Sequence, residues 1–228
     1  MIAALIIFVL LIGSVYIYLR KVWFYRDPVR VVKAEENQVI SPADGQVVYI
    51  KPVENGIVVS EKLGEKITIE EISKMTLAKS DGWIIGIYMS PLDVHYNYAP
   101  VSAQVEDMQY TSAKANLPMV DLWEYIKITY LRKAVDLFSK KYRLVNERNT
   151  VLFKGKVQIA VVEIADKFVS KITPLIKVGE EVEAGQKIGF IDRGSQVDLI
   201  IFDENVNFKV KVGQQVYGAK TVIAEFRR

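Results

Sequence analysis

Cysteine is absent from this 228-residue chain, and histidine occurs once, at position 95. The first absence removes disulfides, thiolate metal ligands and a cysteine nucleophile together. It fits a reducing compartment without requiring one, because many exported proteins also lack cysteine. The second excludes any multi-histidine metal site, so no metal centre is expected and imidazole chemistry must pass through His95. An excess of charge is lacking too: 30 Lys and Arg against 27 Asp and Glu leave a formal +3. With no arginine-rich run and no basic–aromatic stripe, a nucleic-acid partner is set aside.

Charge is missing altogether from the side chains of residues 1–19. About eighteen apolar residues suffice to cross a hydrocarbon core as a helix. No basic residue precedes the run and no small-x-small cleavage site follows it, which favours an uncleaved anchor over a signal peptide. Arg20, Lys21, Arg26, Arg30 and Lys33 follow the run, so the positive-inside tendency puts the remainder on the cytoplasmic face. Tyr16, Tyr18, Trp23, Phe24 and Tyr25 stand where an interfacial aromatic belt would lie. The expected division is a transmembrane anchor over residues 1–22 and one domain over 23–228, long enough to bury a core.

Beyond the anchor the chain is mostly short β-branched and aromatic runs separated by turn pairs such as Asp44-Gly45, Asn55-Gly56 and Asp81-Gly82. Strands are predicted over 46–50, 56–60, 66–69, 83–88, 101–110, 150–153, 157–164, 187–191, 197–202, 208–212 and 221–226. That spacing predicts a mainly β fold, an antiparallel sandwich or barrel. One helix is predicted over 119–138, where Met119, Leu122, Trp123, Ile126, Tyr130, Ala134, Leu137 and Phe138 recur at helical spacing beside a basic fringe. It reads first as a cover for one sheet face, and alternatively as a helix at the bilayer surface. Val178-Gly179-Glu180-Glu181-Val182-Glu183-Ala184-Gly185 recurs imperfectly as Val212-Gly213-Gln214-Gln215-Val216-Tyr217-Gly218-Ala219. These are hammerhead-like hairpin repeats, similar to the units of biotinyl and lipoyl carrier domains, but without a carrier lysine at a hairpin tip.

Candidate chemistry is sparse. Gly194-Ser195, read alone, is a turn dipeptide ahead of a strand. His95 lies in a loop-like stretch bounded by Pro91 and Pro100, with Asp93 two residues away and on the same side if the stretch is extended. Asp44 precedes a glycine, a favoured turn pair. On these residues alone, a membrane-tethered β-domain adaptor stands beside an enzyme.

Five segments in order change the balance: Phe24-Tyr25-Arg26-Asp27-Pro28-Val29-Arg30, Ser41-Pro42-Ala43-Asp44-Gly45, Ser90-Pro91-Leu92-Asp93-Val94-His95, Glu147-Arg148-Asn149, and Ile188-Gly189-Phe190-Ile191-Asp192-Arg193-Gly194-Ser195. From about residue 20 to the C-terminus the chain resembles the short, prokaryotic branch of the phosphatidylserine decarboxylases. The resemblance implies a proenzyme that cuts itself between Gly194 and Ser195 by N-to-O acyl shift and β-elimination. A β chain, 1–194, and an α chain, 195–228, would remain together as a heterodimer or a higher oligomer. The former Ser195 would carry a pyruvoyl group, the cofactor that forms a Schiff base with a phospholipid substrate at the membrane. His95 would serve as the base and later the proton donor. Asp44 matches the acid of the family's Ser-His-Asp set, and Asp93 is the other candidate to orient His95. Longer members carry a second histidine where this chain has Tyr98. A member that binds lipid without maturing would share these features.

Overall fold

The computed structural model describes residues 2–60, 64–133, 135–167, 172–192 and 194–227. Met1 at the head of the apolar run, Ala134 in the expected helix and Arg193 before the Gly-Ser pair lie outside them. Helix α1 (Ile2–Tyr18) continues into a wider π turn, Leu19–Trp23. Its span Leu5–Trp23, with mean hydropathy 2.0, is long and apolar enough to cross a membrane, and none of it is buried in the protein.

The domain is built of strands, as predicted. In chain order they are β1 (Gln38–Ile40), β2 (Gly45–Val53), β3 (Ile57–Ser60), β4 (Glu65–Thr68) and, after helix α2 (Ile69–Ser73), β5 (Gly82–Met89), β6 (Tyr96–Tyr98) and β7 (Ala103–Thr111). Helices α3 (Leu122–Thr129) and α4 (Tyr142–Val145) follow. Then come β8 (Arg148–Lys154), β9 (Ile159–Ala165), β10 (Ile172–Pro174), β11 (Glu181–Val182) and β12 (Lys187–Ile191). The chain closes with β13 (Ser195–Ile201), β14 (Val206–Phe208), β15 (Gln215–Val216) and β16 (Val222–Phe226). An eight-stranded antiparallel sheet runs in the order β11-β7-β8-β9-β13-β5-β2-β15. Two three-stranded sheets, β1-β16-β14 and β10-β12-β6, and the hairpin β3-β4 complete it.

The central strands β9 and β13 are buried at every residue because both faces of the sheet are covered. On one face Val161, Ala165, Val197, Leu199 and Ile87 pack with Ile188 and Ile191 of β12. On the other, Val162, Ile164 and Ile200 pack with Ile69, Phe138 and Tyr142. The repeat explains the two sheet edges. Its first copy supplies β11, pairing with β7, and its second supplies β15, pairing with β2, at opposite ends of the same sheet. Gly179 (φ 85°) and Gly213 (φ 90°) occupy matching left-handed turns, as do Gly185 (φ 82°) and Ala219 (φ 58°).

The helix expected over 119–138 is corrected to the eight residues of α3. Asp121 and Glu124 form a reciprocal capping box that fixes its start. It stops because Arg132 turns left-handed (φ 51°), which an L-residue does not sustain in a helix. Leu137 and Phe138 still reach the core, from an irregular segment that folds back so that Lys140 pairs with Glu124. The stretch holding His95 also departs from expectation: Tyr96–Tyr98 is a strand paired with β12. The run expected over 208–212 leaves its strand at Phe208.

Glu147-Arg148-Asn149 is internal scaffolding. The buried Arg148 guanidinium donates to three main-chain carbonyls, of Ile72 (2.6 Å), Arg143 (2.6 Å) and Asn146 (2.8 and 3.0 Å), tying α2 and α4 to β8. Lysine cannot fork in this way. We expect Arg148→Lys to lower the unfolding free energy by roughly 2–4 kcal/mol, because buried acceptors lose their donors. Denaturant titration of the full chain in detergent micelles measures it; an unchanged midpoint would contradict this role.

Candidate active site at the start of strand β13

Ser195 is the first residue of β13 and is fully buried, opposite Met89 of β5 and Ala165 of β9. Its Oγ donates to the Met89 thioether sulfur at 3.3 Å, a weak acceptor. The same sulfur receives the Asn97 amide at 3.6 Å. The carbonyl of Gly194 accepts a main-chain hydrogen bond from Asp166 at 3.2 Å.

His95 comes to this corner because its own carbonyl accepts from the N–H of Ile191, the last residue of β12, at 3.1 Å. Its ring lies under Phe24, with centroids 4.0 Å apart, and is fully buried. Nδ1 stands 3.0 Å from the carbonyl oxygen of Asp93. A carbonyl only accepts, so Nδ1 carries the proton and Nε2 keeps its lone pair. Nε2 has no hydrogen-bond partner among the described residues. Burial pushes the imidazole down to about 3, against the carbonyl bond, with Arg26 adding to the depression. His95 is therefore a neutral, unengaged base at neutral pH.

Among the described residues neither candidate carboxylate is hydrogen-bonded to the imidazole. Asp44 takes a two-pronged ion pair from Arg30, at 2.5 and 2.9 Å, and the Gly218 N–H at 2.7 Å. Asp93 accepts from the Ser90 N–H (2.8 Å), the Ser90 hydroxyl (2.7 Å) and Gln215 (2.9 Å), and burial raises its pKa. Asp93 thus shapes the turn whose carbonyl orients His95. Tyr98 belongs to the Asp44 corner: the Arg30 guanidinium lies 5.0 Å above its ring.

The Phe24-to-Arg30 segment forms the roof. Phe24 covers His95, Tyr25 stacks on Phe190 at 5.5 Å, and the Tyr25 hydroxyl reaches Asp192 at 3.4 Å. Beside it a cavity of about 450 Å³ is lined by Tyr16, Leu19 and Trp23 at the end of the apolar span, by Tyr125 and Tyr130, and by Asp192.

The underside of β13 is pinned. Tyr49 lies across Gly86, where any side-chain carbon would overlap its ring, and its hydroxyl reaches Asp198 at 2.5 Å. Gln196 donates to Tyr49 (2.7 Å) and Asp198 (2.5 Å) and accepts from Tyr142. On the upper face, Glu163 of β9 stands one strand position from Ala165, with its carboxylate against Gly189. Asn149 donates to its Oε2 at 2.7 Å, while Oε1 has no partner among the described residues.

A sequence model of the phosphatidylserine decarboxylase family matches residues 18–224. The chain belongs to the phosphatidylserine decarboxylase family. It is 36% identical over 204 residues to the "Putative archaetidylserine decarboxylase proenzyme" of Methanocaldococcus jannaschii, covering 89% of this chain and 88% of that one. It is 32% identical to a phosphatidylserine decarboxylase proenzyme of Cytophaga hutchinsonii (95% and 81% covered) and 30% identical to one of Carboxydothermus hydrogenoformans (92% and 82%). The structure puts Met89 and Asn97 beside the Ser195 hydroxyl, Asp166 on the Gly194 carbonyl and Glu163 against Gly189, and none of the four stands in the sequence motifs. The one signal was a lone glutamate inside the apolar run of β9.

Burial pushes Glu163 up to about 7, against the Asn149 bond, from an ordinary value of 4.5. Between those values the folded protein holds a proton that the unfolded chain has lost. The associated stability is complete below about pH 4.5 and is lost as pH rises through about 7. We expect the thermal midpoint of the wild type to fall relative to that of Glu163→Gln across this window, then to run parallel. Parallel profiles from pH 4 to 8 would contradict it.

Proposed function

We propose that this decarboxylase cuts itself between Gly194 and Ser195 and then decarboxylates a serine phospholipid, with diacyl or ether tails, at the membrane. The observation that carries the reading is Ser195 itself, buried at the head of a central strand with its hydroxyl donating to a thioether, a weak acceptor. His95 lies on the segment between β5 and β6, whose Met89 and Asn97 meet beside the Ser195 hydroxyl, and its Nε2 has no hydrogen-bond partner among the described residues.

A hydroxyl becomes a nucleophile when a neighbouring base takes its proton. With Nδ1 fixed on the Asp93 carbonyl, Nε2 of His95 is the nitrogen able to do so. Ser195 Oγ then bonds to the Gly194 carbonyl carbon, and the peptide C–N bond breaks as its nitrogen takes up a proton. Loss of the Ser195 α-proton breaks the Cβ–Oγ bond, and Gly194 departs as a carboxylate. Water replaces the nitrogen of the remaining dehydroalanine, which leaves as ammonia. The new α chain stays bound because β13 is laddered on both edges to strands of the β chain, β5 and β9.

The residues present fit a ketone at position 195: the Asn97 amide shares the Met89 sulfur with the Ser195 hydroxyl, and its Oδ1, like Nε2 of His95, is buried without a partner among the described residues. A pyruvoyl group there supplies an electron sink for the loss of carbon dioxide from the headgroup. His95 would return a proton to the headgroup carbon, and Phe24 above it excludes water. Asp44, paired with Arg30, holds the β1–β2 turn in position for Tyr98 and Gly218.

The anchor and Tyr125 of α3 line the same cavity beside Asp192, and α3 exposes Leu122 and Trp123, which supports a bilayer-facing entrance. The basic residues after the apolar span support a cytoplasmic orientation.

Two measurements test this. Intact mass of the purified protein should give two fragments split after Gly194, with the α chain blocked at its N-terminus. Ser195→Ala should remain whole and release no carbon dioxide, and His95→Ala should be inactive; lipid decarboxylation by Ser195→Ala would overturn the reading. For the membrane face, replacing Leu122 and Trp123 with serine should lower kcat/KM several-fold on vesicles and leave activity on a short-chain soluble analogue unchanged.

A further inference from the structure

The carbonyl that the self-cleavage must attack is already held. Asp166 directly follows β9, and its N–H donates to Gly194 O at 3.2 Å, one rung beyond the Ser195–Ala165 pair. That distance is longer than the usual 2.9–3.0 Å for such bonds, so it can tighten as charge grows on the oxygen. The side chain of Asp166 fixes this N–H in place. Its Oδ1 accepts from the main-chain N–H groups of Lys167 (2.7 Å) and Met119 (2.9 Å). Its Oδ2 flanks Gly194 itself, 3.3 Å from where a side-chain carbon would stand. Asp166 therefore meets the scissile residue with main chain and side chain together.

We propose that Asp166 is a catalytic residue of the self-cleavage, its main-chain N–H stabilising the negative charge on Gly194 O, and that its side chain positions that N–H. The proposal rests on the self-cleavage reading and adds the donor that the reaction needs. As the Ser195 Oγ–C bond forms, the carbonyl π electrons move onto Gly194 O, and the serine proton passes by way of the base to the Ser195 nitrogen. A preorganised donor at that oxygen is worth more to this charged state than to the neutral amide. When the ester's Cβ–Oγ bond breaks, the same N–H faces the departing Gly194 carboxylate. From then on Gly194 is a chain end.

The test follows maturation of the full chain made by cell-free synthesis into detergent, reading fragment masses against time. Asp166→Ala removes the acceptor that holds the loop, whereas Asp166→Asn keeps an oxygen at Oδ1. We expect Asp166→Ala to mature roughly 10- to 100-fold more slowly, as for a displaced oxyanion donor. Asp166→Asn should stay near the wild-type rate. Two results would overturn the proposal: Asp166→Ala maturing at the wild-type rate, or Asp166→Asn as slow as Asp166→Ala. If Asp166→Ala does not fold, Asp166→Ser replaces it with an intermediate rate expected, and a wild-type rate overturns the proposal. A wild-type chain that never splits removes the self-cleavage reading itself, which the same time course reports separately.

Discussion

Strand β13 is hydrogen-bonded along both edges from its first residue, and that residue is Ser195. The bond read as the cleavage site thus lies at the entry to a strand that is buried along its whole length. Confinement has two consequences. It fixes the peptide before Ser195 against β9 so that its geometry varies little, and it keeps the downstream segment in place if that peptide is cut. The Tyr49–Asp198–Gln196–Tyr142 network under the sheet serves the same end, because it clamps the two residues that follow Ser195 on that face. Gly86 is the small residue that lets Tyr49 reach across a strand to do so.

Burial is the second constraint, and it decides the electrostatics of the corner. His95, enclosed by Phe24 and the turn after β5, is held neutral by desolvation and oriented by a main-chain carbonyl. In the serine–histidine–acid pattern, that orienting task falls to a carboxylate. Here the two acids nearest in sequence logic are engaged elsewhere, Asp44 by Arg30 and Asp93 by Ser90 and Gln215. The Asp93 carboxylate still contributes at one remove, since it sets the turn that presents its own carbonyl.

Much of the fold was legible in the sequence because strands leave short β-branched and aromatic runs, and glycine turns leave their own mark. The N-terminal apolar helix was legible as length without charge. The helix over 119–138 was overread: an irregular segment that buries Leu137 and Phe138 gives the same apolar spacing as a helix, and the left-handed Arg132 has no sequence signature. At the site, Ser195 and His95 could be singled out by resemblance and by scarcity. Asp166 could not, because its contact with Gly194 depends on a strand register set thirty residues away.

The sequence by itself determined the class: a β domain behind an apolar helix, with one imidazole, no thiol and a Gly-Ser pair in the motif order of the phosphatidylserine decarboxylases. Those are properties of composition and order, which the chain carries whether or not it is folded. Only the tertiary structure decided which atoms meet: the Asp93 carbonyl and not a carboxylate at His95, Met89 at the Ser195 hydroxyl, and the Asp166 N–H on the Gly194 carbonyl. Hydrogen bonds depend on tenths of an ångström and on angle, and those are fixed by sheet register and packing that no local stretch of sequence records.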